Sequence, residues 1–142
     1  MKLADIERLI DSGESDTVEF KKSTGQLRRA FQTLCAFLNG HGGQVIIGVT
    51  SKGKITGQQI SDSTLEDVAS HIAKLEPPAS VMIHRIPLEG SEEKDLLVLG
   101  ADPGDATVPF AYDGRPYQRL GNTTVVMPQE RYQALLIERT HS

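Results

Sequence analysis

The chain has 142 residues, 38% hydrophobic and 24% charged, with a formal net charge of −4 at pH 7, a balance typical of one soluble domain. No apolar run approaches the ~18 residues of a membrane span, and no N-terminal segment resembles a signal peptide, so we expect a cytoplasmic protein without a membrane partner. The single cysteine, Cys35, excludes an internal disulfide and a multi-cysteine zinc site.

The first third of the chain alternates helix and strand signals. A helical spacing of apolar residues predicts a first helix in LADIERLIDSG, which Gly13 ends, and TVEFKKS predicts a strand. The clearest helix follows, capped by Ser23 or Thr24 and ended by NGHGG. Its predicted buried stripe consists of Leu27, Ala30, Phe31, Leu34, Cys35 and Leu38. GQVIIGV then predicts a buried strand, TSKGK a tight turn and ITG a return strand.

The rest of the chain predicts two further helices and several strands. STLEDVASHIAKLEPP predicts a helix with a Ser63–Glu66 capping box and a proline stop. SVMIHRIPL and DLLVLGA predict strands, and VPFAYDGRPYQRLGNTT predicts a hairpin around Asp113–Gly114. PQERYQALLIER predicts a terminal helix with Pro128 in its first turn. We therefore expect a single α+β domain over residues 1–142, with a mixed β-sheet packed by helices.

The distribution of charge is uneven although the net charge is acidic. From Phe20 to Ser61 the chain has no Asp or Glu. This block contains six cations: Lys21, Lys22, Arg28, Arg29, Lys52 and Lys54. A cationic surface on an acidic protein is typical of local phosphate binding, and the alternative is a scatter of solvated charges.

Two glutamates, Glu14 and Glu19, lie close together in GESDTVEFKKS. On a strand their odd separation would place them on opposite faces, whereas a loop at residues 13–16 would let the carboxylates converge. Converging carboxylates are ligands of hard metal ions. The structural alternative is that Glu19 pairs with Lys21 or with an arginine of the next helix.

Two further motifs concern phosphate. GVTSKGK matches the first part of a nucleotide-binding P-loop, but Ile55 replaces the hydroxyl residue and a strand follows where a helix is required, so we expect no ATP hydrolysis. In YDGRPYQRLG, Arg115 and Arg119 have the fork geometry that matches phosphate oxygens, and Tyr112 and Tyr117 can stack on bases. The alternative is a surface hairpin whose tyrosines pack on the core.

Four segments occur in an order that resembles the AlbA_2 domain of the Schlafen family. They are Glu14 to Lys21, Ala36 to Gly43, Ile47 to Gly57 and Tyr117 to Gly121. The resemblance covers nearly the whole chain and implies nucleic-acid binding, as in the N-terminal modules of longer bacterial transcriptional regulators. In some members it implies a metal-dependent RNA or tRNA nuclease.

The nuclease activity of such relatives depends on three acids, of which two match Glu14 and Glu19. The third lies just after the I-G-V strand, where this chain has Thr50 and Ser51. A hydroxyl supplies no formal charge to hold Mg²⁺ or Mn²⁺, so we expect no cofactor unless the nuclease alternative holds.

The sequence therefore predicts a nucleic-acid-binding domain whose partner is DNA or RNA. The predicted contacts are Lys21, Lys22, Arg28, Arg29, Lys52, Lys54, Arg115 and Arg119. The acid-free block from Phe20 to Ser61 is expected to form one continuous positive face, with Arg119 beside it. One alternative is a nuclease with Glu14 and Glu19 as catalytic residues, and another is a protein-interaction domain that binds no nucleic acid. A homodimer is also expected, because a pair of domains presents more cationic surface than one.

Overall fold

The computed structural model describes residues 1–90, 93–104 and 108–141, with the side chain of His141 excepted. The helices are α1 (Leu3–Ser12), α2 (Leu27–Leu38), α3 (Asp62–Ile72) and α4 (Gln129–His141). The strands are β1 (Val18–Lys21), β2 (Gly43–Ile47), β3 (Leu75–Glu76), β4 (Val81–Pro87), β5 (Asp95–Ala101), β6 (Ala111–Tyr112), β7 (Tyr117–Leu120) and β8 (Thr123–Val126). None of the described helices is long and apolar enough to cross a membrane.

The central sheet has four strands in the order β1-β2-β5-β4. β1 runs parallel to β2, and the other two pairings are antiparallel. Helix α2 makes the crossover that a parallel pair requires. Two small antiparallel sheets, β3–β6 and β7–β8, complete the described fold. The α+β class with a mixed sheet is confirmed.

The inner strands β2 and β5 are covered on both faces, because their side chains alternate between two apolar clusters. On one face, Val45 and Ile47 pack with α2, whose Phe31, Leu34 and Leu38 are fully buried as predicted. On the other face, Ile46 packs with α1 and with the apolar side chains of β1. The edge strand β1 therefore places Glu19 and Lys21 on the α2 side of the sheet.

The corner between α2 and β2 requires glycine. Gly43 has a φ of 157° and begins β2 directly, as the glycine-rich sequence predicts. A Cβ at Gly43 would lie 2.5 Å from the carbonyl oxygen of Thr17 and 2.8 Å from the ring of Phe37. The close approach of β1 to this corner sets the position of the loop that precedes β1.

Helix α3 differs from its predicted boundaries at both ends. The predicted Ser63–Glu66 capping box is wrong, because the box is formed by Ser61 and Thr64. Ser61 already has an extended backbone, and its Oγ accepts a hydrogen bond from the Thr64 amide. The helix ends at Ile72, and the chain then forms the short strand β3 before the prolines.

The predicted hairpin consists of two successive turns. Asp113 and Gly114 do form a tight turn, which is closed by a bridge between Tyr112 and Arg115. The longer hairpin is β7–β8, whose strands are joined by residues 121–122. The predicted return strand at ITG is reduced to a single bridge between Val49 and Ile55.

Candidate nucleic-acid interface

Glu14 lies in the loop before β1, and its carboxylate turns back toward the strand. Glu14 Oε2 accepts a hydrogen bond from the backbone amide of Phe20 at 3.1 Å. It thereby satisfies a donor on the edge of β1 that faces away from β2. The loop brings Glu14 close to Glu19, so of the two predicted arrangements the converging one is present.

The two glutamates have opposite pKa shifts. Burial raises the pKa of Glu14; the Phe20 amide opposes this change and the neighbouring Glu19 carboxyl adds to it. Burial would also raise the pKa of Glu19, but the neighbouring Glu14 carboxyl and the charges of Lys21 and Arg119 hold that pKa below the ordinary value. The pair is therefore divided into one carboxyl that resists ionisation and one that remains ionised.

Glu19 is held between two cations. Lys21 Nζ lies 3.1 Å from Glu19 Oε1, as the structural alternative predicts. Arg119 Nη2 lies 2.6 Å from Glu19 Oε2, so the arginine partner comes from β7 and not from the next helix. Glu19 Oε2 still accepts no aligned hydrogen bond, because Nη2 donates to the carbonyls of Ser15 and Val18. The Oε2 contact is therefore electrostatic.

Arg119 lies in the interior, which corrects the prediction that it flanks an exposed positive face. Its side chain is only 5% exposed. Nη1 donates to Thr124 Oγ1 at 2.8 Å, and the guanidinium lies 5.3 Å from the centre of the Phe37 ring. Arg119 also donates hydrogen bonds to the carbonyls of Ser15 and Val18. Its side chain therefore links β7 to the edge of β1.

Tyr112 and Tyr117 pack on the core, which decides between the two alternatives that the sequence left open for them. Their exposed fractions are 1% and 7%. The Tyr112 hydroxyl shares a 2.5 Å hydrogen bond with His71 Nδ1, and its ring stacks on Phe31. The structural alternative for the two tyrosines is therefore correct.

Asn39 positions the hairpin from the other end of α2. Its Nδ2 donates to the carbonyls of Phe110 and Tyr117 at 2.8 and 2.9 Å, and its Oδ1 accepts the Phe110 amide at 2.7 Å. Cys35 is buried beside it, and burial raises the pKa of the thiol to about 12, as expected of an inert cysteine.

A polar cleft of about 360 Å³ opens between α2 and the β7–β8 hairpin. Its charged lining residues are Glu19, Lys21, Arg29 and Arg119. Its neutral polar lining residues are Gln32, Thr33, Asn122, Thr123 and Thr124. The sequence shows a polar turn at LGNTT, but nothing local indicates that this turn faces α2, so these neutral residues were not predicted. Hereafter this cavity is the cationic cleft.

A second, larger cleft of about 840 Å³ lies on the other side of the loop that precedes β1. Its charged lining is mixed, with Glu14 and Asp16 beside Arg119 and Arg131. For an anionic ligand the smaller cationic cleft is the better match, because positive charge predominates there.

The other predicted cations occupy three further environments. Arg28 forms an exposed ion pair with Asp113 at 3.0 Å, and Arg115 lies in the same turn. Lys52 and Lys54 are exposed in the turn after β2, where a Cβ on Gly53 would lie 3.6 Å from Ile10 of α1. Lys22 is exposed at the end of β1. The face that was expected to be continuous, with Arg119 beside it, is therefore divided.

The glutamates do not fit a catalytic Mg²⁺ or Mn²⁺ site. Among the residues that the structure describes, no group of three or more His, Cys, Asp or Glu side chains could hold a metal ion. Glu19 already faces two cations, and Thr50 and Ser51 add no carboxylate after β2. Metal-assisted phosphoryl transfer requires carboxylates that are available to the ion.

Comparison with known proteins places the fold. The Schlafen, AlbA_2 family matches residues 14–128. The DIP2311 protein from Corynebacterium diphtheriae has a similar structure, with a TM-score of 0.62, 15% identity, and coverage of 97% of this chain but only 28% of its own. A second similar structure is the N-terminal domain of a Nitrosomonas europaea protein named as related to the ATP-dependent DNA helicase RecG. Its TM-score is 0.58 at 22% identity, over 87% of this chain and 91% of that domain. No curated protein matches the chain.

Proposed function

Because the chain belongs to the Schlafen AlbA_2 family, we propose that it is a nucleic-acid-binding domain that contacts the phosphates of DNA or RNA. The observation that carries the proposal is the cationic cleft, where Lys21, Arg29 and Arg119 converge. The fold shared with the N-terminal domain of a protein named for a DNA helicase supports the same class of ligand.

Arg29 is the cation in the cleft that is best placed to bind an external phosphate. It is exposed, and it forms no ion pair within residues 1–90, 93–104 and 108–141. Lys21 and Arg119 are already paired with Glu19, so their main contribution is a positive electrostatic potential that attracts and orients the phosphate. A guanidinium matches two phosphate oxygens at once, which makes Arg29 the expected first contact.

The exposed cations outside the cleft would contact further phosphates along the nucleic-acid strand. These are Lys22, Lys52, Lys54 and Arg115. The net charge of −4 opposes long-range attraction, so affinity depends on these local contacts and falls steeply with salt. Such sequence-tolerant binding suits a cytoplasmic module of a longer transcriptional regulator, and a homodimer would double the cationic surface.

The test is fluorescence anisotropy with single- and double-stranded DNA and RNA of matched sequence, at low and at higher ionic strength. We expect a plot of log K against log salt concentration to have a slope of about −0.9 for each duplex phosphate that the protein neutralises. Arg29→Ala should weaken binding to every sequence alike. Lys94→Ala, an exposed lysine in the loop before β5, is the matched control and should bind as the unmodified protein does. Failure to bind any of the four nucleic acids at low salt would refute the proposal and leave the protein-interaction domain as the alternative.

The same panel, incubated with Mn²⁺ and resolved on a gel, tests the nuclease alternative. We expect intact RNA and DNA, because the carboxylate of Glu19 is shared between Lys21 and Arg119. Cleavage by the unmodified protein that disappears in Glu19→Gln would show that the glutamates are catalytic and that another residue supplies the missing ligand.

A further inference from the structure

The charges in the cationic cleft match a phosphate dianion. Lys21, Arg29 and Arg119 supply three positive charges and Glu19 supplies one negative charge, which leaves a net charge of +2. A phosphomonoester carries about −1.5 to −2 at pH 7, whereas a phosphodiester within a strand carries a single negative charge. The cleft therefore balances the charge of a monoester better than that of a diester.

Glu19 does not prevent an anion from binding in the cleft. Each of its carboxylate oxygens faces one cation, Lys21 at Oε1 and Arg119 at Oε2. The carboxylate therefore orients the two cations while their combined charge exceeds its own. An incoming phosphate meets a surplus of positive charge at the base of the cleft and Arg29 on the exposed side of α2.

Two of the cations in the cleft, Lys21 and Arg119, are recessed, and this favours a phosphate at the end of a nucleic-acid strand over one inside it. The side chains of Lys21 and Arg119 are only 14% and 5% exposed. A diester inside a duplex is flanked by sugars on both sides and lies on a convex surface, so it cannot reach recessed groups without distortion. A terminal phosphate is attached on one side only and can enter. The volume of about 360 Å³ lies at the small end of ligand sites, enough for a phosphate and its sugar.

The neutral lining leaves donors for the additional oxygens of a monoester. Thr33 and Thr124 are engaged with each other at 2.8 Å, and Thr124 also accepts from Arg119. The side-chain amide nitrogens of Gln32 and Asn122 donate no hydrogen bond within the described part of the chain. Together with Arg29 they are donors that a terminal phosphate can use without breaking an existing contact.

From these observations we infer that the cationic cleft binds the terminal phosphomonoester of a single-stranded nucleic acid. This inference rests on the proposed function and narrows it from phosphates in general to the end of a strand. The terminal group can be a 5′- or a 3′-phosphate, which share this chemistry.

The test is anisotropy with one internally labelled single strand in three forms: 5′-phosphate, 3′-phosphate, and hydroxyls at both ends. We expect at least one phosphorylated form to bind about tenfold more tightly than the hydroxyl form, which is the contribution of about one hydrogen bond to a charged group. Arg29→Gln should abolish this preference. Arg28→Gln is the matched control, since its guanidinium pairs with Asp113 outside the cleft, and it should keep the preference.

The outcomes separate the inference from the proposed function. Equal affinity for the three forms would overturn the terminal-phosphate site while leaving nucleic-acid binding in place. Loss of the preference in Arg28→Gln to the same extent as in Arg29→Gln would overturn the assignment to this cleft. If no form binds at low salt, the proposed function itself fails. Both arginines are exposed, so neither variant should unfold the domain, and a thermal melt of each confirms this.

Discussion

Helix α2 ends and begins in opposite environments. Its last turn, Ala36 to Leu38, is fully buried, and Asn39 continues it into a corner closed by hydrogen bonds and by glycine. Its first turn presents Arg28 and Arg29 to solvent beside the cationic cleft. One helix thus anchors the fold at its C-terminal end and displays charge at its N-terminal end. Changes at the two ends should therefore separate stability from binding.

The largest effect is expected within the buried stripe that joins the two ends. Leu34 is fully buried between α2 and the sheet, so Leu34→Ala should lower the free energy of unfolding by about 2–5 kcal/mol through the cavity it leaves. Urea unfolding followed by circular dichroism measures the change. Gln32→Ala, on the cleft side of the same helix, is the control and should change stability little. Equal losses in both variants would contradict the assignment of the buried face.

The next effect is expected at the buried end. Asn39→Ala would leave the amide of Phe110 and the carbonyl of Tyr117 without the partner that Asn39 supplies, and the carbonyl of Phe110 with only the Cys35 thiol as donor. We expect a loss of about 2–3 kcal/mol, because unsatisfied buried polar groups keep their desolvation cost. Urea unfolding measures the loss, and faster hydrogen exchange at the Phe110 amide locates it. His41→Ala, exposed in the same corner, should have neither effect.

Local patterns in the sequence predict the buried end of α2 better than the exposed end. The apolar spacing from Leu27 to Leu38 and the glycines after it involve neighbours within a few residues, so helix, stop and following strand are all predicted correctly. The order of the four motifs, which resembles that of the AlbA_2 family, predicts the fold as a whole. The predicted capping box of α3 is misplaced by two residues, because Ser61 and Ser63 are both good caps and only the backbone conformation at Ser61 distinguishes them.

The cationic cleft depends on contacts that the sequence does not display. Arg119 reaches the carbonyl of Ser15 across 104 positions, and Thr33 meets Thr124 across 91. Charge patterning selects Lys21 and the late family motif selects Arg119, but neither pattern can show that Glu19 contacts both. For that reason a surface face was predicted where the structure has a buried tie and a cleft.

The pH dependence of stability tests the charged cluster beside the exposed end. The folded pKa of Glu19 is lowered, so its carboxylate contributes stability above the ordinary value of 4.5, and this contribution is lost as pH falls through the folded pKa. Glu19→Gln should therefore be less stable than the unmodified protein at neutral pH, and the difference should shrink in acid. The loss should be smaller than for Asn39→Ala, because Arg119 keeps its bonds to Ser15 and Thr124.

Glu14→Gln is the matched control for that experiment and should show the opposite trend. The folded pKa of Glu14 is raised, so its protonated carboxyl contributes stability at acidic pH that is lost as pH rises through the folded pKa. A glutamine can still accept a hydrogen bond from the Phe20 amide. The free energy of unfolding of Glu14→Gln, relative to that of the unmodified protein, should therefore be highest at neutral pH. Urea unfolding across a pH series measures both variants. Parallel profiles would show that the two carboxyls are not differentiated.

The smallest effect is expected at the start of the exposed end, and it decides whether that end contributes to the fold at all. Ser23 Oγ accepts the Gly25 amide at 3.2 Å and begins the 3-10 turn, Thr24–Gln26, that leads into α2. Ser23→Ala should lower the free energy of unfolding by about 0.5–1 kcal/mol, the ordinary range for a lost cap. Thr24→Ala should change it less, because Thr24 contacts Gln58 through its backbone amide. Urea unfolding distinguishes the two variants.

If Ser23→Ala lowered the free energy of unfolding as much as Leu34→Ala, the exposed end would be as important for stability as the buried core, and the contrast between the ends of α2 would be wrong. A small loss would instead show that the start of α2, where Arg29 lines the cationic cleft, contributes little to stability, and that the two ends of the helix differ as proposed.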